Sequence, residues 1–489
     1  MTLNNTDVAV EFSNIENYPN NHPYNPSEIY PELHDLCIDT DKDNRLYSKI
    51  RKLFFDYGMD RENYDKKGWN PFRNFIRPGM TVFIKPNTVS HKHKTGGDIF
   101  SIITHASVLR PVIDYVIIAL KGVGRIIVGD SPLYDSDYNE AMKISGIKEL
   151  LEWFKKRTPI QIEYFDLRIN KAVRTWLYGK WSREEVGKDP RGYQFVDLKD
   201  ESYFKDIEPN KLRIAVASHK NMMKYHDREH HKYLFPKSLL ESDVIINVPK
   251  LKTHRRTGIT LALKNFMGLP ALKDSLPHFM VGTPDEGGDQ YINPSLRKRI
   301  GTWMHDRIQT SPFIIEKFIF AVLKYLNWKS GKVFRFKDDI SEAMWPGNDT
   351  VWRTLLDLNR AALYADKEGC ISDKVQRNYL CIMDGIIGGE GNGPLACDPV
   401  HSGVLLIGSN PVSMDIVAAT LMGFDPDKIR LIRKAIDDKK KKSSLFFGYK
   451  NDINVVDNGS VISLEKFADG RNLHYKPHPA WIGFIERSF

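Results

Sequence analysis

Short apolar runs that stop at Pro, Asn or Asp recur along this chain, with longer stretches of helical spacing between them. Thr81–Lys85 (TVFIK) stops at Pro86-Asn87, RIIVGD after Gly124 stops at Asp130, Ile160–Phe165 follows, and Val244–Val248 stops at Pro249. Runs of this length, rich in β-branched residues and closed by turn formers, read as buried strands. Val108–Lys121 and Asn139–Lys155 read as helices between them, as do Leu46–Tyr57 and Val412–Met422 elsewhere. Leu212–Val216, Tyr379–Met383 and Val404–Ile407 read as further short strands. Strand, loop, helix and strand in this rhythm predict an α/β fold of mostly parallel sheets with crossover helices, Rossmann-like and in two lobes.

The pattern changes at both ends and in the middle. The first forty residues are rich in Asn, Pro and Tyr, so residues 1–78 are expected to form an arm and a helix. An α/β core over 79–290, a helical insertion over 291–375, and a continued core with a C-terminal tail over 376–489 complete the division. Within the insertion, Phe313–Leu326 is the longest apolar stretch, interrupted by Glu316, Lys317 and Lys324. It falls short of the ~20 residues that a membrane span needs, so a packed amphipathic helix is expected and no transmembrane segment. The start, MTLNNTDVAVEF, lacks the basic and apolar regions of a secretory signal, which makes the cytoplasm the default location.

Composition narrows the classes. At 489 residues the chain exceeds a single ordinary core, so one large domain with insertions or two domains are expected. Cys37, Cys370, Cys381 and Cys397 are widely spread with no C-x-x-C pair, which argues against an iron–sulphur cluster, a structural zinc site and a disulfide framework. The net charge of +9 comes without a nucleic-acid motif, so no nucleic acid is expected as a partner. Lys439–Lys442 reads as a solvated helix end.

The charge is informative where it is local. From Val244 through Lys273 there is no Asp or Glu, yet Lys250, Lys252, Arg255, Arg256, Lys264 and Lys273 all fall inside. A strand that leads into a basic loop with Gly and Thr is where an open α/β sheet places an anionic ligand. Lys250, Lys252 and Lys264 are therefore candidates to hold a carboxylate or phosphate, with Thr253, Thr260 and Asn265 beside them. His254, which can exchange protons near neutral pH, is the candidate acid/base. Lys85 and Asn87 follow the first strand, and Asp130 follows the second, where a carboxylate can hold a cation. Asp384 opens a fourth polar stretch in which Gly391 and Gly393 permit close backbone approach to a ligand. Glu390 within it is a candidate for a metal or cationic site. His91 with His93, and His226 with His230 and His231, have spacings that suit a metal but read first as solvated surface. Asp415 in the first turn of its helix is accounted for by the helix dipole.

Together VFIKPN (82–87), THASVLRPVID (104–114), VGDSP (128–132), SDVIINVPKLKTH (242–254), GITLALKNFMG (258–268), DGIIGGEGNGP (384–394) and NPVSMDIVAATLMG (410–423) resemble the family catalogued as domain of unknown function family 362. The resemblance spans about Val82 to Ala435. Some members carry a ferredoxin-like iron–sulphur module, from which the cysteine pattern here departs. His254 and Lys264, ten residues apart after a strand, also resemble the nickel-pincer lactate racemase family. There the lysine holds a covalent nickel cofactor and the histidine is an acid/base group. The Ser-Gly-Gly before that lysine is Thr-Leu-Ala-Leu here, and Gly129-Asp130-Ser131-Pro132 replaces an earlier histidine-bearing loop. The resemblance therefore implies an acid/base role for His254 and a substrate or cofactor role for Lys264, without nickel.

These readings converge on an enzyme acting on a small anionic metabolite by proton or hydride transfer at a hydroxylated carbon. In it His254, Lys264 and Asp384 would be catalytic. A magnesium-dependent transferase of surface-polysaccharide or nucleotide-sugar metabolism, with Asp384 and Glu390 on the metal, is the alternative. A non-enzymatic anion-binding protein is the third. The cofactor stays open: a divalent cation, magnesium or nickel, is admitted, and no iron–sulphur cluster is expected. The oligomeric state is left undetermined.

Overall fold

The molecule is described from a computed structural model, which covers residues 3–34, 36, 39–174, 181–214, 219–333, 342–438 and 443–487. Cys37 and Lys439–Lys442 lie outside the described residues, as does part of the strand expected over 212–216. One eleven-stranded mixed sheet organises the chain. Its strands are β1 (Val8–Phe12), β2 (Thr81–Pro86), β3 (Arg125–Asp130), β4 (Gln161–Asp166), β5 (Val244–Val248), β6 (Lys250–His254), β7 (Gly258–Ile259), β8 (Asn378–Asn392), β9 (Ala396–Gly408), β10 (Asn454–Asp457) and β11 (Ser460–Ser463). The order runs β11-β10-β1-β9-β8-β5-β2-β3-β4, with β6 paired to β8 and β7 to β6.

The alternation along the strands explains their burial. Val82, Ile84, Ile126, Val128, Val244 and Ile246 join one core layer, whereas Phe83, Ile127 and Ile245 join the other. Both faces are thus covered, which is why these strands are apolar throughout. The covering helices include α1 (Arg45–Asp56) and α2 (Ala106–Leu120) on one side. On the other lie α3 (Leu261–Asn265), α6 (Val351–Tyr364) and α7 (Pro411–Leu421). Between these, α4 (Leu296–Thr310) and α5 (Ile314–Val333) form a helical hairpin.

The parallel part, β4-β3-β2-β5-β8, reverses its winding between β2 and β5. Such a reversal opens a crevice beyond the carboxyl ends of the two strands. Register brings Asn247 opposite Lys85 and Val248 opposite Pro86 at that point.

Three local readings change. Asn139–Lys155 is two helices, Tyr138–Ile144 and Ile147–Lys155, broken at Gly146 with φ +74°. Within the N-terminal arm, Val8–Phe12 enters the sheet between β9 and β10. The glycine-rich stretch after Asp384 continues β8 to Asn392 in a long hairpin with β9. Its glycines answer crowding more than a need for flexibility: a Cβ on Gly389 would sit 2.3 Å from the Ser101 carbonyl oxygen, and one on Gly393 2.1 Å from that of Thr253.

Candidate anion-binding cleft

A cleft of about 710 Å³ lies at the crevice. Lys85 and Asn87 enter it from the end of β2, Asp130 from β3, Lys252 and His254 from β6, and Thr260, Lys264 and Asn265 from the segment that follows. Gly393 lines it from the β8–β9 turn. Nine of the fourteen residues singled out in the sequence therefore converge. Its walls carry eight lysines and arginines against Asp130, Asp135 and Glu342.

Four of these eight cations are committed to the protein. Lys85 Nζ lies 2.8 Å from Asp130 Oδ1, while Asp130 Oδ2 accepts hydrogen bonds from the Thr88 amide and hydroxyl. Gly268 packs on that pair, since a Cβ there would stand 2.3 Å from Asp130 Oδ1. Lys252 donates to the Ile102 carbonyl at 2.6 Å, and Lys273 donates to those of Ser131 and Met267. Arg256 pairs with Glu342 at 3.0 Å.

Lys264 differs. It is 9% exposed, and its ammonium makes no hydrogen bond or ion pair with any described residue. Burial, and then the charges of Arg256, Lys252, Lys273 and Arg255, push its pKa down to about 7. Its position is over-determined by buried polar groups around α3. Asp415 accepts from the amides of Ala262 and Leu263, Asn247 donates to the Ala262 carbonyl, and Asn359 to that of Leu263. Asp415 thus braces the lysine from a distance; it lies beyond the first turn of its own helix, so these two amides, and not the helix dipole expected from the sequence, account for it.

Two imidazoles in the cleft are held in opposite tautomers. His254 Nδ1 accepts the Arg256 amide at 3.1 Å, which places the ring proton on Nε2. His278 Nδ1 lies 2.8 Å from the Leu276 carbonyl, which can only accept, so its Nε2 carries the lone pair. Burial, followed by the Lys264 charge, holds His254 well below the usual histidine range. Burial, then Arg256, does the same to His278. Both rings are neutral at pH 7, His254 as a donor and His278 as an acceptor. Sequence reasoning passed over His278, because it stands alone in LPHFM with no motif around it.

The other candidates lie elsewhere. Lys250 and Asp384 are both wholly buried and pair at 3.0 Å, with the Tyr18 hydroxyl bonded to both. Thr253 donates to the Gly391 carbonyl, and Gly391 donates to that of Lys476 in the C-terminal tail. Glu390 accepts the Lys476 amide at 2.8 Å and faces its ammonium. Asp130 and Glu390 are therefore engaged in separate places, and no group of three His, Cys, Asp or Glu side chains among the described residues is gathered as a metal site. His93 uses both ring nitrogens on the Cys397 carbonyl and the Gly97 amide. His226 bonds His231 and the Ser275 carbonyl.

Fold and site define an α/β protein with a basic cleft at the reversal point of its parallel strands. The chain belongs to the family described as Domain of unknown function (DUF362), whose model matches residues 82–187 and 198–420. No curated protein and no solved structure matches it.

Proposed function

We propose that this protein is an enzyme that binds a small carboxylate or phosphate and moves a proton at a hydroxylated carbon of that substrate. The observation that carries this reading is Lys264, a buried amine in a basic cleft with no partner among the described residues and a pKa pushed to about 7. A lysine poised near ambient pH both attracts an anion and transfers a proton efficiently. The surrounding cations supply the field for the anionic end, while the His254 Nε2–H donates to a hydroxyl or carbonyl oxygen. His278 Nε2 or neutral Lys264 takes the carbon-bound proton and returns it to carbon, so that no external oxidant enters. His254 thus changes role, from the acid/base of the sequence reading to a neutral donor. With its Nδ1 held by the Arg256 amide, it has no lone pair to offer the cleft. Asp384, buried with Lys250, supports the strand junction in this reading and stays out of the chemistry.

The test is exchange of carbon-bound protons for deuterium, followed by NMR across a panel of 2-hydroxy acids and phosphorylated hydroxy compounds. Wild-type protein should exchange at least one member. Lys264→Met should abolish the exchange, and His278→Gln should lower it by about 10²–10⁴. Thermal stabilisation by the panel without exchange would leave an anion-binding protein. Absence of stabilisation would remove the anion site itself.

A further inference from the structure

The helical hairpin of α4 and α5 was expected to pack its apolar residues away, and the structure leaves them outside. Among the described residues, twelve of the twenty-four exposed large apolar side chains fall between Leu296 and Leu326. Leu296 is 74% exposed, Phe313 68% and Ile315 72%, with Trp303, Ile319 and Leu326 about half exposed. Their spacing is helical: 296, 300 and 303 make one stripe, and 315, 319, 322 and 326 make another. Exposed apolar surface concentrated in this way marks an interaction face.

The hairpin is nonetheless fixed to the body. Met304 and Ile308 are buried, Arg213 pairs with Asp306 at 3.0 Å, and Gln290 donates to Thr302 at 3.0 Å. Trp303 meets Phe320 edge-on, with ring centres 5.1 Å apart, which holds the two helices together.

Charge selects the partner. Residues 296–333 hold eight lysines and arginines against Asp306 and Glu316 alone, a net +6. Asp306 is taken up by Arg213, and Glu316 by Ser311 and Arg307. A symmetric pairing with a second copy would set +6 against +6. Apolar stripes with Trp and Phe, flanked by cations, suit the headgroup boundary of an anionic bilayer. No helix among the described residues is long and apolar enough to cross a membrane, so the hairpin would lie along the surface. We propose that the α4–α5 hairpin docks this protein on the anionic surface of a lipid bilayer.

Sedimentation of the full-length protein with vesicles tests this. Vesicles of phosphatidylcholine with phosphatidylserine should bind at least about tenfold more tightly than phosphatidylcholine alone at about 0.1 M salt, and binding should fall as salt rises. The exposed pair Phe313→Ser and Ile315→Ser, with an unchanged melting temperature, should lose about tenfold or more. Lys264→Met, in the cleft, should leave vesicle binding unchanged. Equal partition into both vesicle types, or undiminished binding by the Phe313/Ile315 variant, overturns the proposal. Loss of binding with Lys264→Met overturns it too, because the cleft would then be holding the headgroup phosphate. A wild-type dimer that ignores vesicles and dissociates in the Phe313/Ile315 variant would assign the face to a second copy instead.

Discussion

Lys250 and Lys264 belong to one basic segment and both are buried, yet their electrostatic settings are opposite. Lys250 is enclosed with Asp384 and Tyr18 where β6 meets β8 in register, so its charge is answered at the place where it is made. Among the described residues the charges that weigh most on Lys264 are cationic, and it opens onto the cleft. Burial alone therefore says little about the role of a lysine here. The nearest carboxylate decides whether a buried lysine is paired within the protein.

The sharpest way to break this contrast is to strip Lys250 of its partner. Asp384→Ala should cost about 3–5 kcal/mol, because an unanswered ammonium would remain at the strand junction, and denaturant unfolding would measure it. Adding Lys250→Met to that variant should recover much of the loss. A merely additive double variant would show that the pair is not the reason these residues are buried together.

Lys264→Met should act with the opposite sign and a smaller size. The folded pKa of Lys264, about 7, lies below the 10.5 of an exposed lysine. The unfolded chain thus binds more protons between pH 7 and pH 10.5, and wild-type stability rises through that window. The methionine variant should be the more stable protein below pH 7 by a few kcal/mol. The difference should shrink as the pH climbs, which thermal melts across pH would reveal. A parallel offset at all pH values would contradict the low pKa.

The smallest effect sharpens the same point without mutation. An anion bound beside Lys264 would favour its charged form, so binding near pH 8 should take up a fraction of a proton. Calorimetry of inorganic phosphate in buffers of different ionisation enthalpy would read this, and the uptake should vanish in Lys264→Met.

Several elements could be read from the chain directly. Val244–Val248 was bounded to the residue, and Thr81–Lys85 and Ile160–Phe165 to within one, because strands buried on both faces are apolar without interruption. The β8–β9 hairpin was shortened in the reading because Gly388, Gly389 and Gly391 erase the apolar signal. The absent side chains of Gly388 and Gly389 make room for Tyr475 and for the Ser101 carbonyl, which lie far along the chain and which no local pattern records. The apolar positions of α5 were likewise legible, whereas their exposure was not. Spacing fixes which residues share a stripe, but only the rest of the fold supplies or withholds a covering surface.

By itself, then, the sequence determined the α/β alternation and the concentration of cations without acids from Val244 to Lys273. Both follow from the order of neighbouring residues. Tertiary structure decided which of those cations is answered, Lys250 by Asp384 from β8 and Arg256 by Glu342, while the Lys264 ammonium meets no acid among the described residues. It also set the tautomers of His254 and His278, because each ring is fixed by a backbone group placed by a tight turn. Charge is written in the chain, but the energy of a charge depends on what lies within a few ångströms, and that is settled only by packing.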